Sequence, residues 1–358
     1  MQKIRYAVIG AGWISQEAFI PSVANTGNSK VTAIISGDTK KARTLADFHD
    51  IEHVYHYDAL ETALLDDVFD VAYIALPNSL HARYSILCAN AGKHILVEKP
   101  LAVTIEESKA MIAAAKTNNV YLMTAYRLHH DPATLTFYDR IWRGDIGDVR
   151  FFSSVFSFNA DQGNHRLKAE HWGGPLQDLG VYCINAARHV FQDEPIAVTA
   201  VKSQGDQDTR FTEIEETYAV TLTFPRGRIA QFIASFGADQ TDVMTVVGTK
   251  GALEMSPGYQ FQYGYSIKHR IGMDIVETPF DQVDHFGGQV AYFSDCIISK
   301  IEPESNGQEG LLDMEIMIAV ERAAATGKSV ALNLERRDRR PHLENARAIP
   351  ITQKRLVL

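Results

Sequence analysis

The apolar run Ile4–Ile9 passes directly into Gly10-Ala11-Gly12-Trp13-Ile14-Ser15, and a helical stretch, Ser15–Ala24, begins on the last of these residues. Few local patterns restrict a chain more. The first glycine permits a tight turn at the exit of a strand, and the second lets a ligand approach the backbone. Ser15 stands where a Gly-x-Gly-x-x-Gly pattern has its third glycine. That position governs how closely helix and strand pack, so a small side chain is tolerable there. The first amides of the helix, with the positive end of its dipole, make such a turn a seat for the phosphates of a dinucleotide.

Further apolar runs at Val31–Ser36, Val71–Leu76, His94–Val97 and Tyr121–Ala125 alternate with helical stretches Thr39–Phe48, Leu80–Ala91 and Ile105–Lys116. Each run is continuously apolar rather than alternating, as expected of parallel strands covered on both faces. Thr104 and Glu107 fit a capping box at the start of the last helix. Residues 1–126 are therefore expected to form an α/β Rossmann domain, a doubly wound parallel sheet.

After Arg127 the texture changes. A helix near Pro132–Arg143, a strand Phe151–Phe158, the turn Gly173-Gly174-Pro175 and an amphipathic helix Leu176–Val190 follow in turn. From Ile196 to about Met255 strands are joined by turns, and Val220–Phe224 and Ile229–Phe236 flank the hairpin signal Pro225-Arg226-Gly227. Late helices are expected near Gln289–Ile298 and Gly310–Ala325. Residues 127–358 are expected to be a substrate-binding and oligomerisation α+β domain with a large, mostly antiparallel open sheet. No flexible linker marks the boundary, so the two domains are expected to pack closely around a cleft.

Bulk properties exclude several classes. A formal net charge of −9 speaks against a nucleic-acid partner, which needs a basic face. No apolar run reaches the roughly 18 residues of a membrane helix, and the first strand begins at once, which leaves no signal-peptide pattern. Cys88, Cys183 and Cys296 are widely spaced, an arrangement suited to a reducing compartment. A cytoplasmic protein is expected.

The end of the second strand selects between cofactors. An acidic residue there would bind the ribose hydroxyls of NAD, but the strand ends in Ile35-Ser36-Gly37, with Lys40, Lys41 and Arg43 just beyond. A hydroxyl beside ammonium groups suits a 2′-phosphate. NADP is therefore favoured over NAD, although Asp38 leaves a carboxylate near the site. Ligands of an open parallel sheet gather beyond the carboxyl ends of its strands. Leu76-Pro77-Asn78, with His81 after it, and Glu98-Lys99-Pro100 stand at two such ends, and Lys99 is expected beside the nicotinamide.

Gly10-Ala11-Gly12, Glu98-Lys99-Pro100 and the segment Gly173-Gly174-Pro175-Leu176-Gln177-Asp178-Leu179-Gly180-Val181-Tyr182 together resemble the Gfo/Idh/MocA oxidoreductase family, over essentially the whole chain. The likeness points towards its glucose–fructose oxidoreductase and NADP-dependent aldose dehydrogenase branch, through Ser36-Gly37, Lys41 and Tyr126-Arg127. The resemblance implies a catalytic set of Lys99, Asp178 and Tyr182, with tyrosine at a position where most of the family has histidine. It implies nucleotide contacts at Gly10, Ala11, Gly12, Trp13, Ile14, Ser36, Gly37, Lys41, Leu76, Pro77, Asn78, His81, Glu98, Lys99 and Arg127. It places Arg127, Lys168 and Trp172 with the catalytic trio at the sugar, and His130, His165 and Arg166 on neighbouring segments.

Spacing adds its own reason. Residues 178 and 182 are four apart on an expected helix and so share a face. A phenol has a pKa near about 10, and a nearby ammonium favours phenolate, a base for the hydroxyl proton lost as hydride leaves the carbon. The implied reaction is oxidation at C1 of a glucose- or xylose-like aldose to the lactone. Aldose–aldose or aldose–ketose exchange through a tightly held cofactor is a variant. A cyclic polyol or dihydrodiol dehydrogenase is the second enzymatic reading, and a non-catalytic nucleotide sensor the reading of another class. A homodimer or homotetramer is expected.

Other features carry less. His49, His53 and His56 read as a solvated loop rather than metal ligands, and the adjacent His129 and His130 make a poor metal pair. Arg336 to Arg340 reads as a solvated run of charge near the C-terminus, and Asp284-His285 before Gly287-Gly288 suggests a loop without a chemical role.

Overall fold

The structure is a computed structural model that describes residues 3–205 and 208–358. The chain divides into two compact units. The first comprises residues 1–131, 283–311 and 345–358; the second comprises 132–282 and 312–344.

In the first unit, β1 (Ile4–Ile9), β2 (Ser29–Ile35), β3 (His53–Tyr55), β4 (Val71–Ile74), β5 (His94–Val97) and β6 (Leu122–Thr124) form one parallel sheet in the order β3-β2-β1-β4-β5-β6. The doubly wound arrangement expected from the sequence is present. A π-type turn over Ser15–Phe19 runs into α1 (Ile20–Val23). The crossovers that follow are α2 (Thr39–His49), α3 (Leu60–Leu65), α4 (His81–Asn90) and α5 (Ile105–Thr117). The Thr104 hydroxyl accepts from the Glu107 amide, while the Glu107 carboxylate reaches back to the Val103 amide, one residue earlier than a capping box requires.

In this unit two short elements escaped the sequence pattern, as did β-strands Tyr265–Ile271, Asp274–Phe280 and Val330–Ala331 of the second unit. His53 belongs to edge strand β3 instead of a loop, and α3 is only six residues long. His56 caps a 3₁₀ turn through the Asp58 amide, and His49 ends α2.

The sequence expectation also placed the late helix with the second domain, but α8 (His285–Ser299) packs within the first unit. The buried Tyr6 hydroxyl of β1 meets Ser294 at 2.9 Å, Ser29 of β2 reaches the same hydroxyl at 2.7 Å, and Asn28 bonds Asp295. Asp284 caps α8 through the Gly287 amide and accepts from Ser22.

The second unit holds α6 (Pro132–Trp142), α7 (Val181–Phe191) and a nine-stranded sheet. Its strands are β7 (Val149–Ser157), β8 (Ala197–Ser203), β9 (Thr217–Phe224), β10 (Arg228–Ser235), β11 (Thr241–Gly248), β12 (Ala252–Met255), β13 (Tyr265–Ile271), β14 (Asp274–Phe280) and β15 (Val330–Ala331). They lie in the order β14-β13-β12-β11-β7-β10-β9-β8-β15, antiparallel except where β10 meets β7. The β9–β10 hairpin turns through Arg226 (φ 64°) and Gly227 (φ 71°), two consecutive positive angles that a tight hairpin needs. A final helix, α9 (Gly307–Thr326), contributes its first residues to the first unit and the rest to the second. Among the described residues no helix is long and apolar enough to cross a membrane.

Alternation on β10 assigns one sheet face to the core and the other outward. Register aligns the outward residues into rows. Val201, Ala219, Ile233, Val155 and Val243 form one, and Ala197, Thr223, Ile229, Phe151 and Val247 another. The row between them, Thr199, Thr221, Gln231, Ser153 and Thr245, is polar but uncharged.

Two arginines of the run near the C-terminus depart from the expectation of a solvated segment, while Arg336, Asp338 and Arg339 are exposed. Arg340 is buried and donates to Glu194 at 2.7 Å, and Arg337 is buried as well. Glu194 also takes the guanidinium of Arg188, which is wholly buried on α7 and bonds Asp313 at 2.6 Å, while Asn185 donates to the same Asp313. The network ties the far end of α7 to α9 and to the strap of arginines. Removing one partner of such a network leaves buried charge uncompensated, at a cost of about 3–5 kcal/mol. Arg188→Met is therefore expected to lower unfolding stability by about that amount in urea denaturation. A loss below about 1 kcal/mol would show the network to be dispensable.

Candidate active site

The nucleotide turn is fixed at three strand ends. Gly10 adopts φ 107°, and a Cβ there would stand 2.3 Å from the Ala75 carbonyl just beyond β4. Its amide donates to Ile35 at the end of β2, and its carbonyl accepts from the Ser15 hydroxyl at 2.6 Å. Ser15 thus closes strand against helix by a hydrogen bond where a glycine would do so by close contact. Around Gly12 a Cβ would meet nothing within 4 Å, so the second glycine faces open space of the kind a pyrophosphate would fill. The helical turn begins at Ser15. These residues fit a dinucleotide.

At the end of β2, Ser36 is buried and Gly37 lies flat against the Tyr57 ring, 3.2 Å from where a Cβ would sit. The Asp38 carboxylate caps α2 by accepting from the Lys41 amide at 2.9 Å. Asp38 is thus engaged in starting the helix that carries Lys40, Lys41 and Arg43.

Beyond β4 and β5 the expected residues take distinct parts. Leu76, Pro77, Asn78 and Lys99 are half-buried at the strand exits. Glu98 accepts from the Tyr73 hydroxyl at 2.7 Å; burial raises its carboxyl above the usual range, opposed by the charges of Lys99 and Arg127. His81 lies between two strand exits. It is fully buried, with Nδ1 2.8 Å from the Pro100 carbonyl and Nε2 2.9 Å from the Leu76 carbonyl. Burial lowers its pKa, so the neutral ring carries one N–H, which donates to one of these two carbonyls and ties His81 to the strand exits.

Arg127 and His130 open the segment after β6. The Arg127 guanidinium donates to His285 Nδ1 at 2.9 Å, and His285 Nε2 faces Asp131 at 3.5 Å. Burial and the charge of Arg127 hold His285 well below its ordinary pKa, so it stays neutral and accepts from the arginine. Asp284-His285, expected to be a loop without a role, is therefore a helix cap followed by the support of Arg127. His130 is buried, stacks on Tyr292 at 4.3 Å and is pushed down to about 3 by desolvation. It belongs to the core of the first unit. His129 is buried beside Glu304 at 2.7 Å.

In the second unit, Leu176–Gly180 forms a π-type turn that leads into α7, the Val181 amide reaching back five residues to Leu176. The step from Asp178 to Tyr182 therefore crosses a wide turn rather than a regular α-helix, which modifies the expectation of a shared face. Such turns frequently mark functional sites. Gly173 admits no side chain, because a Cβ would stand 2.1 Å from the Arg166 carbonyl. That close approach brings Arg166 back over the turn, where its Nε pairs with Asp178 at 3.1 Å. Arg166, named only as a neighbour from the sequence, is thus a direct partner of the candidate carboxylate. Lys168 sits at the surface and pairs with Glu213 at 2.6 Å.

Tyr182 is buried and packs edge-on to Phe156 and tilted against Tyr259. Tyr259 is itself anchored by Ser154 at 2.7 Å, and the Asp242 carboxylate receives three consecutive amides from Gly258, Tyr259 and Gln260. Trp172 takes φ 51° and donates its indole N–H to Glu321 at 2.9 Å, and Gln177 donates to the same oxygen at 2.7 Å. Burial raises the Glu321 carboxyl, partly offset by these two donors. Sequence reasoning missed Glu321, Gln16, Tyr57 and Tyr73, since no motif marks a residue whose task is to hold another.

Comparison with known proteins agrees with this geometry. A family profile described as an oxidoreductase family with an NAD-binding Rossmann fold matches residues 4–126, and the GFO/IDH/MocA C-terminal domain matches residues 134–254. The chain is 30% identical to a D-xylose 1-dehydrogenase (NADP+) of Haloarcula marismortui, over 92% of this chain and 93% of that protein. It is 29% identical to a trans-1,2-dihydrobenzene-1,2-diol dehydrogenase of Bos taurus, over 70% of this chain and 74% of that one. The crystal structure of an aldose-aldose oxidoreductase from Caulobacter crescentus, complexed with glycerol, superposes with a TM-score of 0.88 at 32% identity, covering 92% of this chain and all (100%) of that one. The chain belongs to the Gfo/Idh/MocA family of oxidoreductases.

Proposed function

We propose that the chain is an NADP-dependent dehydrogenase that oxidises an aldose at C1, with Lys99, Asp178 and Tyr182 as its catalytic residues. The observation that carries this reading is the pair of prepared half-sites. Lys99 stands at a strand exit of the nucleotide-binding unit, and Asp178 and Tyr182 stand on one π-opened helix of the other. Similarity to a xylose dehydrogenase and an aldose-aldose oxidoreductase supports a sugar as substrate.

The bound nicotinamide supplies the hydride acceptor. The remaining chemistry belongs to the chain. Tyr182 takes the hydroxyl proton, the Lys99 ammonium stabilises the developing negative charge, and Asp178, held by Arg166, accepts from a neighbouring sugar hydroxyl. Trp172 offers a ring face to the sugar with its N–H already engaged, and Arg127 reaches the cofactor or sugar from the segment after β6. General acid–base groups contribute about 10²–10⁴-fold. Tyr182→Phe and Lys99→Ala are each expected to reduce kcat at least about 100-fold, with NADP binding retained in the tyrosine variant. Full turnover surviving both changes would end the mechanism. Absence of reduced nicotinamide absorbance with every aldose, alongside normal NADP binding, would point to a nucleotide sensor.

The likeness to a dihydrodiol dehydrogenase favours a second substrate class, dihydrodiols or cyclic polyols. A panel holding aldoses and such diols separates the two by kcat/KM. A tightly held cofactor exchanged between two sugars is a variant of the first reading.

For the cofactor, we place the 2′-phosphate against Ser36, Gly37 and the first turn of α2 with Lys41, and the pyrophosphate over Gly10, Ala11, Gly12, Trp13 and Ile14. Leu76, Pro77, Asn78, Glu98 and Lys99 would line the nicotinamide end. Ser36→Asp introduces a carboxylate that repels the phosphate and binds ribose, so the NADP-to-NAD ratio of kcat/KM is expected to fall at least about tenfold, as loss of roughly 1.4 kcal/mol would give. Tighter binding of NAD than NADP by the unaltered chain would overturn the assignment.

The two apolar rows on the outward face of the nine-stranded sheet carry no charge, and we propose that a second copy covers them in a homodimer, alone or within a tetramer. Sedimentation at micromolar concentration should give a dimer or tetramer, and Ile233→Glu should weaken it. A monomer before substitution would refute this surface.

A further inference from the structure

The turn that seats the pyrophosphate is gripped from an unexpected direction. Gln16, the second residue of the π-type turn, is buried, and its Nε2 donates to the Ala11 carbonyl at 2.7 Å. A peptide unit is planar and trans, so a carbonyl held on one side points the following N–H to the other. By holding the Ala11 oxygen, Gln16 fixes this peptide plane and turns the Gly12 N–H away from itself.

The orientation of the Gln16 amide is itself fixed. Its Oε1 accepts from the backbone N–H of Leu358 at 2.7 Å. The Leu358 donor thus holds the oxygen end of the same amide whose nitrogen end holds Ala11, and the side chain is anchored at both ends. The segment that brings Leu358 there is anchored along its length. Pro350 accepts from Asn25, Lys354 pairs with Asp50 at 3.2 Å and lies over the Phe48 ring, and Arg355 pairs with Glu17 at 2.8 Å, next to Gln16. Every one of these contacts lies within the first unit.

We propose that residues 354–358 form a strap that sets the dinucleotide turn, with Gln16 as the positioning residue between them, and that the strap governs how tightly the pyrophosphate is held and how fast the dinucleotide leaves. This inference rests on the nucleotide site proposed above, but on neither the sugar nor the catalytic trio.

The test compares the full chain with a chain shortened after Gln353, with Gln16→Met, and with the combination. Dissociation constants for NADP and stopped-flow release rates for NADPH are read together with melting temperature. Loss of one such hydrogen bond corresponds to about a tenfold weaker Kd. Shortening and Gln16→Met should each produce it, mostly through faster release, and the combination should add little, because both cut the same chain of bonds. Gln16→Glu keeps the acceptor for Leu358 but loses the donor to Ala11, and should be as weak as Gln16→Met. Should the shortened chain fail to fold, Gln16→Met, Gln16→Glu and Arg355→Ala carry the comparison. Unchanged NADP binding and release in folded variants, even with a lowered melting temperature, would overturn the strap alone. Independent, multiplying effects of shortening and substitution would overturn it too. A full chain that binds neither NADP nor NAD would defeat the nucleotide site itself.

Discussion

Contact between Gly10 and the backbone beyond β4 sets the scale for the whole nucleotide-binding unit. Three strands arrive at one glycine: β1 carries it, β2 receives its amide, and the Ala75 carbonyl after β4 occupies the space of a missing side chain. A residue with a Cβ would have to separate β1 from β4 and would also be strained at φ 107°. The helix above inherits this tightness. Ser15 bonds back to the Gly10 carbonyl, and Phe19, four residues on, stacks on Tyr73 of β4 at 3.5 Å. Tyr73 then holds Glu98 at the exit of β5. A single close approach is thus transmitted through two rings to the tripeptide that carries Lys99.

Four of the candidate functional side chains are steadied by a second group. Arg127 leans on His285, Asp178 on Arg166, Trp172 and Gln177 on Glu321, and Tyr182 on the Tyr259 ring that Ser154 and Asp242 fix in turn. Catalytic constellations need such support, because a misplacement of 1 Å can cost about 100-fold in rate. His81 serves the same end through the backbone alone.

The sequence disclosed the parts governed by local rules. Continuous apolar runs gave the strands of the parallel sheet, and Gly10 and Gly12 gave the turn between the first strand and helix. Pro225-Arg226-Gly227 gave the hairpin, and the Glu98-Lys99-Pro100 and Asp178–Tyr182 segments gave the family. It concealed what depends on distant partners. A half-buried three-residue strand such as β3 carries too little pattern to register. Arg340 looks like solvated charge until the Glu194 carboxylate and the Arg188 carbonyl are seen beside it. Nothing local to Asp284-His285 tells that it caps a helix and supports an arginine 158 positions earlier. The π-type turns were likewise invisible, since their sequences satisfy the same spacing as an ordinary helix.

The first unit is assembled from three separated stretches of chain, and that has a consequence for how it is made. A ribosome delivers residues 1–131 long before α8 and residues 345–358 exist, so the Tyr6 hydroxyl, the Ser29 hydroxyl and the end of Asn28 emerge without the groups that later satisfy them. The nascent nucleotide-binding half must wait, with part of its polar interior unanswered, until α8 and residues 345–358 have also been translated. Completion of this half therefore follows synthesis of the second unit, although its glycine signature precedes that unit in the chain.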